Sequence, residues 1–315
     1  MPDVAVHASF GREVLASLPE EVRDVILPEP YTFALFGPDL WFMHKPWRRR
    51  EGRGRRMHTV TPGAFLSALL RKAASSEART ELFSYLAGFL CHYVLDSLTH
   101  PYIIYATAEE HVFPRSHMSL EHALDLAEFR RDGFSGERHP VTDHYFPRLR
   151  LPEILRSDLN MVFDEVYGWK NCWADLNRSC RRYRLCYRVL ENPRGLVARL
   201  ARLTGLDLLR SLAYSESQFL SLDPENREHR TWKHPFDPEQ AFSESFPELR
   251  EKALRHAVRL IEASFRFLLC GEGVLEDVSA LIGNNSYLSG LPADDPRNYR
   301  VKSLLPPDIA GKEEP

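Results

Sequence analysis

No apolar run in the 315-residue sequence approaches the ~18 residues of a helical membrane span, so no such span is expected. Charge of one sign is also lacking. The formal net charge is −3, which gives no general attraction to nucleic acid or an anionic membrane, so any such partner must be met by a local patch. The five cysteines, Cys91, Cys172, Cys180, Cys186 and Cys270, are odd in number and show no CxxC spacing. That argues for reduced thiols and leads us to expect a cytoplasmic location. The opening M-P-D-V-A-V-H has neither the basic nor the apolar region of a signal peptide. A glycine-rich phosphate loop, an internal repeat and period-2 strand alternation are missing as well, which argues against nucleotide-binding α/β and all-β architectures. What remains is helical periodicity, and the expected fold class is all-α.

The most informative stretch is F-L-C-H-Y-V-L-D-S-L-T-H-P, Phe89 to Pro101, with His92, Asp96 and His100 at a constant spacing of four. In an α-helix such residues share a face at about 6 Å per step along the axis, so His92 and Asp96 can hold one ion between them. His100 stands on the order of 12 Å from His92 along the axis, too far to close on the same ion, and a second ion is implied. Pro101 disfavours helical backbone at His100, which is therefore expected to project from the helix end. The flanking residues Phe89, Leu90, Cys91, Tyr93, Val94, Leu95 and Leu98 are apolar. A polar row set among them is buried and needs partners, which metal coordination supplies. Cys91 reads as a small buried hydrophobe, because adjacent helix positions point about 100° apart.

Upstream, Val6 to Ile26 has the spacing of an amphipathic helix, with His7 at its start. Gly37-Pro38-Asp39 then breaks the chain and presents a carboxylate in a turn. Lys45 to Arg56 carries Arg48, Arg49, Arg50, Arg53, Arg55 and Arg56 against only Glu51, a flexible basic loop suited to an anion, with Arg48, Arg49 and Arg50 as candidate contacts. His58 follows. Thr59 to Lys72 reads as a helix with Pro62 in its first turn, and another helix from about Glu77 leads into the histidine row. Downstream, Ser116 is a candidate N-cap, and His117 and Glu121 form a second pair at spacing four. His122 points off that face and His111 lies in the connection. Leu151 to Gly271 reads as helical, with Gly/Pro/Asn breaks near Asn192 and at Asp223 to Pro238, Asn284 to Gly290 as a turn-rich end of a single domain spanning 1–290, and 291–315 as a loose tail.

His7, the Gly-Pro-Asp at Asp39, His58, His-x3-Asp-x3-His-Pro at His92 and His-x3-Glu at His117, in this order, resemble the zinc-dependent phospholipase C family, related in fold to the P1-type nucleases. The resemblance implies a multi-helix bundle with a metal cleft and two to three Zn²⁺ ions. It further implies that Asp39, His58, His92 and Asp96 hold the first ion and His100, His117 and Glu121 the second. His7 and Asp96 would share a third ion with the N-terminal backbone. In secreted family members a newly exposed N-terminal residue completes that third site; here the chain begins at Met1-Pro2, and Pro2 would serve if Met1 is removed. Hydrolysis of a phosphoester, a phospholipid headgroup or nucleotide, by a metal-activated water follows, with Asp39 steering or deprotonating the water. The basic segment could also bring the protein to anionic surfaces. A P1-like nuclease shares this metal chemistry, and a non-catalytic helical scaffold with structural metals is the alternative from another class. Five histidines and three carboxylates with no cysteine favour hydrolytic zinc. An HD-type phosphohydrolase is disfavoured by the absence of a His-Asp dipeptide, and a di-iron bundle by the absence of Glu-x-x-His pairs.

Overall fold

The computed structural model describes residues 4–45, 52–108, 117–134, 141–191, 195–204, 223–271 and 275–300. Its first part runs α1 (Val4–Ser17), α2 (Glu20–Arg23), α3 (Pro28–Ala34), a 3-10 turn (Gly37–Met43), α4 (Arg53–Thr59), α5 (Pro62–Ser75), α6 (Arg79–Thr107) and α7 (His117–Arg131). There follow α8 (Arg156–Tyr167), α9 (Cys172–Leu190), α10 (Leu196–Thr204), strands β1 (Trp232–His234) and β2 (Asp237–Phe242), α11 (Phe246–Cys270), α12 (Leu275–Ile282) and α13 (Arg297–Arg300). The fold is all-α, with one small hairpin among the described residues. None of the described helices is long and apolar enough to cross a membrane.

The central element is α6. Its side chains are buried around most of its circumference, from Leu82 to Asp96 without interruption, as expected of a helix that is apolar on every side. Helices α1, α3, α5, α7 and α11 pack around it. One large apolar core runs through the described residues from Val4 to Tyr287, with a small separate cluster of Ile104, Phe236 and Leu288. The polar row His92, Asp96, His100 therefore lies at the centre of the molecule.

Pro101 does not end α6, which continues to Thr107, so His100 is a mid-helix residue and not one projecting from an end. Proline cannot bond the carbonyl four residues back, here Ser97. Gly290 closes over that carbonyl so tightly that a Cβ at 290 would lie 2.4 Å from Ser97 O. Only glycine fits there, and the turn it belongs to shields the break that Pro101 leaves.

The first amphipathic segment divides into α1 and α2 at Pro19, and the segment read as Thr59–Lys72 divides into α4 and α5 at Thr61, with Pro62 opening α5. Arg53, Arg55 and Arg56 are consequently helical and not part of a loop. The break expected at Asp223 to Pro238 leads into an unexpected hairpin: Trp232 pairs with Phe242 and their rings stack at 4.6 Å. A three-residue strand beside Pro235 and Pro238 is too short to show alternation in sequence. Residues 291–298, expected in the tail, are held: Asn285 bridges Pro292, and Asn298 accepts from Ser289 Oγ. Residues 301–315, Ser116, His111 and Arg48, Arg49 and Arg50 lie outside the described residues.

Candidate metal centre

Four helices and one turn carry the eight residues. Asp39 reaches the centre because the 3-10 turn presses its backbone against α6. Gly37 has φ +26°, and a Cβ there would stand 3.2 Å from His92 Cγ, so the approach requires glycine. His58 sits in the last turn of α4, His7 in the first turn of α1, and His117 and Glu121 in the first two turns of α7. All eight are buried.

Asp96 is the hub. Its Oδ1 lies 3.2 Å from His7 Nε2, while Oδ2 lies 3.1 Å from His92 Nε2, 3.8 Å from His58 Nε2 and 3.6 Å from His100 Nδ1. Asp39 faces it, Oδ1 at 3.2 Å from His58 Nε2 and Oδ2 at 3.6 Å from His92 Nε2. The second pair closes on its own centre, with Glu121 Oε1 2.8 Å from His117 Nε2 and 3.6 Å from His100 Nε2. The rings stack in two pairs, His7 on His92 at 4.1 Å and His100 on His117 at 5.4 Å. Three sets of donor atoms, each within 4.8 Å of one another, result: Asp39, His58 and His92; His7, His92 and Asp96; His100, His117 and Glu121. His122 is buried on α7 and belongs to none of them.

Backbone carbonyls fix the rings. His92 Nδ1 meets Leu35 O at 2.9 Å, His58 Nδ1 meets Gly54 O at 2.7 Å, and His100 Nδ1 meets Tyr287 O at 2.9 Å. A carbonyl only accepts, so Nδ1 carries the proton in each neutral ring and Nε2 keeps its lone pair toward the carboxylates. This is how the outer shell of a metal site orients its histidines.

Both oxygens of Asp39, Nε2 of His92 and Oδ2 of Asp96 are buried without a hydrogen bond. Such atoms cost free energy unless an ion satisfies them. The donor set, imidazole nitrogen and carboxylate oxygen with no thiolate, suits zinc. The residues present fit the group.

Charge balance points the same way. Burial opposes ionisation throughout, yet Asp96 is held well below the usual carboxylate range by His100, His92 and His7. Glu121 is likewise lowered by His117 and His100 against the effect of burial. Burial would also lower His92, but Asp96 and Asp39 raise it to about 9, and Asp96 and Glu121 raise His100. His7 is lowered, chiefly by burial and then by the adjacent His92. The carboxylates thus demand positive charge at the centre, which protons or metal ions can provide.

The sequence profile of a family described as zinc dependent phospholipase C matches residues 6–173, a stretch that contains all eight residues. The chain belongs to this zinc-dependent phospholipase C family. No curated protein and no solved structure matches it.

Three supporting residues of this family member were not apparent from sequence. Tyr287 supplies the carbonyl for His100, donates its N–H to His58 O at 3.2 Å, and lays its ring 5.2 Å from that of His58. Asp125, one turn beyond Glu121 on α7, accepts the N–H groups of Ala5 and Val6 at 2.9 and 3.1 Å and so anchors the start of α1. Its place in His117-x3-Glu121-x3-Asp125 is a periodic signal that could have been read. Asp175 on α9 meets His44 Nε2 at 3.3 Å and Arg53 Nη1 at 3.0 Å, clamping both ends of the arginine-rich segment. Arg53 also stacks over Trp41 and Trp169, 4.9 Å from each. By contrast Arg55, three residues before His58, is half-buried with no acidic partner among the described residues, and burial lowers its pKa.

Proposed function

We propose that the protein is a zinc-dependent phosphoester hydrolase in which water attacks phosphorus beside a multinuclear metal cluster. The observation that carries the reading is Asp96, whose two oxygens face different histidines, the disposition of a carboxylate shared between ions. Asp39, His58, His92 and Asp96 would hold one ion, His100, His117 and Glu121 a second, and His7 with Asp96 a third. Bound there, zinc supplies Lewis acidity toward water and toward the phosphoryl oxygens.

The chain's own part is to hold and move charge. Asp39, with neither oxygen engaged in a hydrogen bond, is the acceptor for the proton of the attacking water. As the new P–O bond forms, the bond to the leaving oxygen breaks and that oxygen takes up a proton. Arg55, with no acidic partner among the described residues, and the arginines at 48–50 supply positive charge, favouring an anionic phosphoester as substrate. We place the protein in the cytoplasm, a reading supported by its free thiols. Cys91 is inert there, since burial pushes it up to about 12.

The test is hydrolysis by metal-free protein before and after zinc is restored, with a phospholipid, a phosphomonoester and a single-stranded oligonucleotide as substrates. Zinc-dependent hydrolysis of the lipid or the monoester, abolished in Asp39→Asn, is expected. Cleavage of the oligonucleotide alone would make the protein a nuclease. No hydrolysis of any of the three by zinc-loaded protein would contradict the proposal.

A further inference from the structure

Ten large apolar side chains are exposed among the described residues, and five of them fall within 19 residues: Leu185 (64%), Val189 (50%), Leu196 (57%), Leu200 (58%) and Leu203 (84%). The inner face of α9 is conventional. Cys172, Leu176, Cys180, Tyr183 and Tyr187 are buried, and the helix packs on the turn that bears Asp39, with Arg182 donating to Met43 O. Its outer face is not. At about 100° per residue, Arg181, Leu185, Arg188 and Val189 fall in one sector of about 100°, and every one of them is exposed. On α10, Leu196, Leu200 and Leu203 are spaced i, i+4, i+7 on one stripe, with exposed Arg199 at its margin.

The charges beside these apolar residues are uncompensated. In α9, Arg178 pairs with Asp175 and Arg184 is taken up by the carbonyls of Thr142 and Phe146. Arg181, Arg188 and Arg199 have no salt bridge among the described residues. Apolar side chains in water cost free energy, as do clustered like charges, and one surface relieves both: the interface of a bilayer with anionic headgroups. Leucine reaches the acyl boundary there and arginine meets phosphate. A second protein chain would cover the leucines but would need its own acids placed against three separate arginines.

We infer that the outer faces of α9 and α10 form a docking surface for an anionic phospholipid membrane. This would deliver the phosphoesterase to substrate already in a bilayer, and it rests on the hydrolytic reading only for that purpose. Binding is measured without turnover, so the two readings fail separately.

The experiment is flotation of the full chain with vesicles of phosphatidylcholine alone, or of phosphatidylcholine mixed with phosphatidylserine. Binding to the mixed vesicles, weak binding to the neutral ones and release by salt are expected. Each arginine at the surface is worth roughly 5-fold, so Arg181→Gln, Arg188→Gln and Arg199→Gln together should weaken binding on the order of 100-fold. Leu200→Ser with Leu203→Ser should weaken it at least about 10-fold. All these side chains are exposed, so thermal stability, zinc content and hydrolysis of a soluble substrate should be unchanged in both variants. The inference is overturned if neither vesicle binds, if both bind equally, or if the leucine variant binds like the parent. It is also overturned if light scattering shows a dimer that the leucine substitutions dissociate, which would assign the face to a second copy of the chain.

Discussion

Asp96 and His7 touch at 3.2 Å, yet their substitution should have unequal effects. Asp96 has histidines on both oxygens, whereas His7 serves only the set it shares with His92 and Asp96. Removing the carboxylate takes away the negative charge that lets cations sit close together. Outer-shell changes alone cost 10–100-fold in metal affinity, so Asp96→Asn should weaken zinc binding by more than about 100-fold. His7→Ala should remove one ion at most. Zinc content by elemental analysis decides the matter, and equal content in the two variants would count against Asp96 as a bridge. The pH dependence follows from His92. In metal-free protein its pKa is raised to about 9, by Asp96 and Asp39 against the opposing effect of burial, so the protonated ring stabilises the fold. That contribution is full below the unfolded value of ~6.5 and is lost as pH rises toward about 9. Zinc must displace this proton. Zinc binding at pH 7.5 should release protons and tighten as pH rises toward 9, which calorimetry in buffers of different ionisation enthalpy would reveal. Zinc uptake without proton release would mean that the proton on His92 is not displaced.

The elements show why the ligand row was legible in sequence and its supports were not. A helix maps spacing onto geometry, so His92-x3-Asp96 and His117-x3-Glu121 could be read directly. The division of His92 and His100 between different donor sets followed from rise per residue. The fate of Pro101 could not, because it depends on a turn 189 residues away in sequence, Gly290 covering Ser97 O. Nor could the carbonyls of Leu35, Gly54 and Tyr287, since backbone groups leave no trace in residue identity. Asp125 is an intermediate case. Its role depends on the start of α1 docking against the middle of α7, and Asp125→Ala would leave the N–H groups of Ala5 and Val6 unpaired in the core. A loss of about 2 kcal/mol or more is expected by urea denaturation, with a smaller loss for Asp125→Asn, which keeps an acceptor. Equal losses would show that charge, and not the hydrogen bonds, holds α1. For the arginine-rich segment, Arg48→Gln, Arg49→Gln and Arg50→Gln together should raise KM for an anionic substrate and reduce the salt dependence of kcat/KM. They should leave kcat nearly unchanged. A large fall in kcat at constant KM would instead put an arginine on the transferring phosphoryl group.

At the scale of the whole molecule, three carboxylates and five histidines occupy the middle of an apolar core that extends from Val4 to Tyr287. Without ions, this arrangement sets buried carboxylates against buried imidazoles, with Asp39 and part of Asp96 short of hydrogen bonds. With ions, each set of donors is satisfied. Metal occupancy therefore comes before any reaction. The most direct measurement is elemental analysis of protein purified without chelator, expressed as ions per chain. At least two zinc ions are predicted, because the donors of Asp39, His58 and His92 and those of His100, His117 and Glu121 form separate sets. One ion or none, with no uptake when zinc is added, would contradict the multinuclear centre and with it the proposed hydrolysis.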